Sequence, residues 1–160
     1  MKRTLAAICI ALAAATVVAA DGPRVAYPDG YRGWRHVKSM VIEVGHPLYG
    51  SFGGIHHLYA NAKALEGYAS GRFPDGAVIV FDLLEANAAD HAVMEGARKL
   101  IGVMEKDGAR FAANGGWGFE GFAGDSRSER LVGDAAASAC FACHQARAAQ
   151  DYVFSALRDP

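Results

Sequence analysis

The sequence predicts an α+β domain: an antiparallel sheet followed by a C-terminal helix. Three observations carry that expectation. Short apolar runs, alternating or continuous, recur along the chain between Gly- and Pro-containing turn signals. Few segments show helical spacing, which argues against a helical bundle or a small all-helical domain. The last helical stretch, opened by Asp134, is alanine-rich and contains Cys140-Phe141-Ala142-Cys143-His144.

The elements follow in chain order. Asp21 to Asp29 contains Pro and Gly and is expected to wrap the surface. Tyr31-Arg32-Gly33-Trp34 reads as a short helix. In the run Lys38 to Val44, Met40, Ile42 and Val44 fall on one face of a strand. Gly and Pro break the chain from His46 to Gly54, and Ile55 to Tyr59 reads as a second strand. Asn61 is placed to cap a helix through Lys63, Leu65 and Tyr68 that stops near Gly71. Pro74-Asp75-Gly76 is a turn. Ala77 to Leu84 follows with apolar residues at both parities, so both faces of that strand should be covered. Gly96 to Glu105 fits neither period cleanly, but the turn signal Lys106-Asp107-Gly108 at its end favours a strand. Asn114-Gly115-Gly116 is a further turn. Trp117 to Phe122 then alternates large apolar with small or charged residues.

The Cys140–His144 segment is a CxxCH motif, and its spacing has a chemical reason. On a helix, residues three and four apart share a face, so both sulfurs and the His144 imidazole point the same way. Cys140 and Cys143 can form thioethers with the vinyl groups of a c-type haem, while His144 reaches the iron. A redox dithiol usually sits in a βαβ context, and a zinc site needs more cysteines. No other CxxC occurs here, and the adjacent His favours one covalently held haem c.

The N-terminus points to the same compartment chemistry. Lys2 and Arg3 precede an apolar run from Leu5 to about Val18, ending in Ala19-Ala20 before Asp21. This reads as an export signal over residues 1–20, too short and too alanine-rich at its end for a membrane anchor. Cys9 leaves with it, so Cys140 and Cys143 are the only cysteines of the expected mature chain. Residues 21–160 suffice for a single haem domain with its own core. Losing Lys2 and Arg3 takes the formal charge from −1 to −3. With no run of basic residues, nucleic acid and anionic membrane are not expected partners. Periplasmic localisation is the expectation.

The order Tyr31-Arg32-Gly33-Trp34, Phe73-Pro74-Asp75-Gly76-Ala77-Val78-Ile79-Val80, Trp117-Gly118-Phe119 and a late CxxCH resembles the cytochrome P-460 family. The resemblance runs from about Tyr31 to Phe154. It implies an antiparallel sheet with a C-terminal haem-bearing helix, a homodimer, and a five-coordinate haem whose open side faces the sheet. One departure separates the subgroups. Hydroxylamine-oxidising members carry a lysine just after the V-x-V of that strand, cross-linked to the macrocycle. Here Phe81 stands at that place, and Lys38, Lys63, Lys99 and Lys106 do not fall there. Phe81, with Phe52 in the preceding Gly-rich loop, resembles the cytochrome c′-β subgroup, whose two aromatic rings cover the open face and which binds diatomic gases.

That resemblance implies a gas-binding protein for NO and CO, in NO binding or detoxification, rather than a turnover enzyme with catalytic residues. Phenyl rings offer no hydrogen-bond donor to O₂ and no acid–base group to peroxide. Two alternatives stay open: a P-460-like oxidoreductase acting on hydroxylamine or NO, and a six-coordinate electron-transfer cytochrome. The latter needs a sixth ligand. Met104 and Met40 lie on apolar stripes and read more readily as core, and only one of the adjacent His56 and His57 can point inward. His36, His46 and His91 are expected to be solvated. Arg32, Arg35 and Arg72 have the cationic forks that haem propionates call for, although surface solvation suits any one of them better. Glu120 is a candidate polar pocket edge, and Trp117 and Phe119 are candidates for packing beneath or beside the haem. The redox partner has no signature in the sequence.

Overall fold

Five strands form one antiparallel sheet in which spatial neighbours are also sequence neighbours, β1-β2-β3-β4-β5. They are β1 (Arg35–Ile42), β2 (Gly54–Ala60), β3 (Val78–Ala89), β4 (Ala92–Lys106) and β5 (Trp117–Ala123). Helix α1 (Tyr49–Phe52) joins β1 to β2, and α2 (Ala62–Ser70) joins β2 to β3. A bent helical segment follows β5, completing the α+β architecture expected from the sequence. The computed structural model describes residues 24–158, so the expected export signal lies outside the described residues.

Because side chains alternate along each strand, the sheet buries two separate cores. On one face Ala60, Ile79, Trp117 and Phe119 pack against α2 and against Phe141 and Val153 of the C-terminal segment. On the other, Val80, Ile101, Val103 and Phe122 close over Val25, Tyr31 and Phe111. The Ala77–Leu84 run is accordingly covered on both sides: Ile79, Val80, Leu83 and Leu84 are all buried. Asp82, with no exposure at all, fastens the N-terminal segment to this second face. It accepts from Tyr31 Oη at 2.7 Å, Arg98 Nε at 2.7 Å and Arg32 Nη2 at 3.0 Å. Burial alone would raise its pKa, but the bonds from Arg98, Tyr31 and Arg32 hold it below the usual range.

Local signals account for most boundaries. Asn61 caps α2 as expected, its Oδ1 accepting from Ala64 N at 2.9 Å and also from Val78 N at 3.0 Å. Gly71 ends that helix in the left-handed region, φ 76°. The Gly96–Glu105 run is strand, but β3 and β4 reach further than the sequence suggests, to Ala89 and from Ala92. Asp90 and His91 form their turn, both at positive φ (52° and 63°), the backbone that a two-residue hairpin requires. β1 ends at Ile42, leaving Val44 81% exposed beyond it.

The final helix departs most from expectation. Asp134 does not cap it: the Gly133–Ala135 turn has no side-chain cap. Glu120 supplies that service from β5, its Oε1 accepting from Val132 N at 3.0 Å and Gly133 N at 3.2 Å. Nor is it one regular helix. A π-helical turn, Ala137–Phe141, runs into a single α turn, Ala142–His144, and then a 3₁₀ stretch, Gln145–Gln150, kinked at Arg147. Asp151 and Tyr152 end it at φ 50° and 66°.

Candidate functional site

Cys140, Cys143 and His144 lie on the turn where π-helical backbone gives way to α, a feature frequent at functional sites. Cys140 is half-buried against the helix-side core and Cys143 is exposed, and both are free thiols. Burial pushes the Cys140 thiol up to about 11, with the Glu120 and Cys143 charges adding to the effect. The His144 ring packs between Phe119, 4.9 Å away, and Phe154, 5.0 Å away. Its Nδ1 lies 2.7 Å from the Tyr152 carbonyl oxygen. A carbonyl only accepts, so Nδ1 carries the proton and Nε2 keeps its lone pair for a metal. Burial lowers the imidazole's pKa, partly offset by this bond, which favours the neutral form a metal needs.

His144 packs on one face of the sheet through Phe119. Ladder pairing sets Ile79, Met104 and Phe119 in one row across the strands, and Phe81, Gly102 and Gly121 in the next. Beyond Phe81 that second row is glycine, with Leu131 packed over Gly121, its Cβ 3.3 Å from where a Cβ would stand, and Gly102 left without such a cover. Glycine inside a strand is unfavourable and commonly marks the close approach of a ligand or another backbone. A Cβ on Gly102 would meet nothing nearer than the Phe81 Cβ at 3.4 Å, so strand packing does not demand glycine there. The row of Phe119, on which the His144 ring packs, and the row of Phe81 thus lie side by side on one sheet face, about 7 Å apart along the strand direction. Two thiols, a neutral imidazole and a face left without a side chain at Gly102 together fit a haem.

Phe52 arrives from α1. Its ring meets Phe81 edge-on, with centroids 5.6 Å apart and planes at 77°. Two contacts place it. Lys99 Nζ donates to the Gly53 carbonyl at 2.6 Å, tying the end of α1 to β4. Gly54 sits at φ 130°, and a Cβ there would run into the Leu84 carbonyl oxygen, so only glycine lets the chain turn from α1 into β2. Behind the pair lies His56, 4% exposed, its ring tilted 33° on Phe81 at 4.4 Å. Its Nδ1 is buried without a hydrogen-bond partner. Burial, then the His57 and Lys38 charges, lowers its pKa to about 4. His57 occupies the opposite face, its Nδ1 2.6 Å from Ser39 Oγ and its Nε2 2.7 Å from Glu95 Oε1.

The remaining candidates divide. Trp117 is wholly buried, and its Nε1 donates to the Asp151 carbonyl at 2.8 Å. Phe119 touches the His144 ring directly. Glu120 accepts from Val132, Gly133 and Gly121 N–H groups and from Arg130 Nη1 at 2.8 Å, binding β5 to the start of the helical segment. Those bonds outweigh burial and lower its pKa. Met104 packs with the helix-side core, Met40 is 48% exposed, and Arg32 serves Asp82. Sequence reading missed Gly102, Gly121, Asp151 and Tyr152. For the two glycines the signal was present, as interruptions inside otherwise apolar strands.

A family model described as Cytochrome P460 matches residues 28–155, from before β1 to the segment after the C-terminal helical turns. No curated protein matches the chain. The matched span holds the whole sheet, the CxxCH turn and the phenyl pair, and with it the haem that the family carries: the chain belongs to the cytochrome P460 family.

Proposed function

We propose that the chain is an exported mono-haem c-type cytochrome that binds diatomic gases, chiefly NO, at a five-coordinate haem. Cys140 and Cys143 hold the group by thioethers, and His144 is its single protein ligand to iron. When bound, the haem supplies an open coordination position for NO and CO. The chain's own residues decide what reaches it. Phe52 and Phe81, paired edge to face, would cover the open side of the group, keep water from it and present no donor that would stabilise charge on O₂. The observation that carries this reading is the Phe52–Phe81 ring pair, with Phe81 standing where the cross-linked relatives have lysine. Residues 1–20 direct export to the periplasm, where such attachment takes place, and the mature chain pairs as a homodimer.

The deciding experiment is spectroscopic. Purified ferrous protein is expected to be high-spin and five-coordinate, to bind NO and CO, and to show little hydroxylamine oxidation or peroxidase turnover. Acid–acetone should leave the chromophore on the polypeptide. A low-spin resting spectrum would overturn the open position, and steady hydroxylamine turnover would return the chain to the oxidoreductase reading.

A further inference from the structure

Three groups from different parts of the fold converge on one residue of the strap, the segment 151–155 that follows the helical turns and runs behind His144. Asp151 is only 5% exposed. Its Oδ1 accepts from Lys106 Nζ at 2.7 Å, and its Oδ2 from the Phe73 N–H at 2.8 Å. Its backbone carbonyl accepts from Trp117 Nε1 at 2.8 Å. Lys106 closes β4, Trp117 opens β5, and Phe73 lies between α2 and β3. Lys106 is itself held, donating to the Gly115 carbonyl at 3.0 Å and lying 5.1 Å from the Trp117 ring centroid.

The backbone explains why so much is spent on one aspartate. Asp151 and Tyr152 are consecutive non-glycine residues in the left-handed region, at φ 50° and 66°. Such a pair persists only where its surroundings over-determine it. Its effect is to turn the Tyr152 carbonyl back onto His144 Nδ1, at 2.7 Å. The Tyr152 ring is gripped as well, lying 5.2 Å from Phe141 and filling the space a Cβ on Gly115 would need.

We infer that Asp151, fixed by Lys106, is a positioning residue for the proximal imidazole: it holds the Tyr152 carbonyl on His144 and so sets how strongly Nε2 donates to iron. A hydrogen-bonded Nδ1–H raises the basicity of a ligating imidazole. The inference rests on His144 as the iron ligand, as proposed above. It does not depend on what covers the other face.

The test uses the holoprotein and two readouts other than activity: the iron–histidine stretching band of the ferrous form and the midpoint potential. Asp151→Gly keeps the left-handed backbone and removes the carboxylate, whereas Lys106→Met removes the ammonium alone. Both should lower the stretching frequency and make the potential more positive, Asp151→Gly the more. Asp151→Asn tolerates the same backbone and keeps an acceptor for the Phe73 N–H, so it should fall between wild type and Asp151→Gly. Arg98→Met, on the far face, should leave both readouts at wild-type values. Wild-type frequency and potential in folded Lys106→Met and Asp151→Gly would overturn the inference. If Asp151→Gly yields no folded holoprotein, Lys106→Met decides alone by the same readouts. A six-coordinate wild type would sink the gas-binding reading while leaving the potential shifts to test the strap. An iron–histidine band that survives in His144→Ala would sink the ligand assignment and the strap together.

Discussion

Phe81 is half-buried and Phe52 is 36% exposed, and these differences set what the loss of either ring would do. A fully enclosed Phe→Ala change costs roughly 3–5 kcal/mol. Phe81→Ala should therefore fall below that range, and Phe52→Ala well below it. Ligand access is the more sensitive readout. Removing the Phe81 ring takes away the partner of both Phe52 and His56, so CO and NO should enter faster and water should reach the face. Stopped-flow CO binding to the ferrous protein checks this. Unchanged rates in both Phe52→Ala and Phe81→Ala would reduce the rings to ordinary sheet packing. Phe81→Gln goes the other way chemically: it supplies a donor over the open face and should raise O₂ affinity relative to CO.

At the scale of elements, the glycine row and the Asp82 hub make opposite demands on β3 and β4. Gly102 has room for a Cβ, so Gly102→Ala should fold and load haem. Gly102→Leu would stand a side chain in the row beside Phe81. The expected result is native far-ultraviolet circular dichroism with strongly reduced haem content, and normal loading would remove the glycines from the site. On the other face, Arg98 is 16% exposed and Arg32 50%, although both bond the same buried carboxylate. Breaking a buried pair costs about 3–5 kcal/mol, while exposed pairs contribute about 0–1 kcal/mol. Urea midpoints should thus fall far more for Arg98→Met than for Arg32→Met. Equal losses would mean that exposure does not govern this hub. The positions of the strands, the Asn61 cap and the two-sided burial of Ala77–Leu84 were legible in the chain because each rests on local pattern. The β3–β4 extension was not, because Glu85 to Met94 is rich in alanine and its turn uses Asp90-His91 rather than glycine. The Asp151 strap was invisible for a different reason. Its partners lie 34, 45 and 78 residues away, and no periodicity reports a contact of that kind.

For the molecule as a whole, these buried groups predict how acid unfolds it. His56 is held neutral, with its pKa lowered from 6.5 to about 4, chiefly by burial. Below pH 6.5 the unfolded chain takes up a proton that the folded one refuses, so stability declines as pH falls toward 4. Over that window the loss amounts to roughly 3 kcal/mol. Asp82 and Glu120 act lower down. Their folded pKa values are depressed beneath 3.8 and 4.5, so the stability they confer is present above those values and vanishes as pH drops through the folded ones. Acid denaturation should therefore proceed in two windows, an upper one belonging to the buried imidazoles of His56 and His144 and a lower one belonging to the carboxylates. His56→Leu separates them. It removes an imidazole whose Nδ1 has no partner, so stability at neutral pH should be preserved or improved. Urea midpoints measured from pH 7 to pH 3 should then fall much less through the upper window, where His144 still titrates, and keep their full decline in the lower one. If His56→Leu declines with the same slope as wild type between pH 6.5 and 4, the buried histidine is not the group that limits the protein in mild acid.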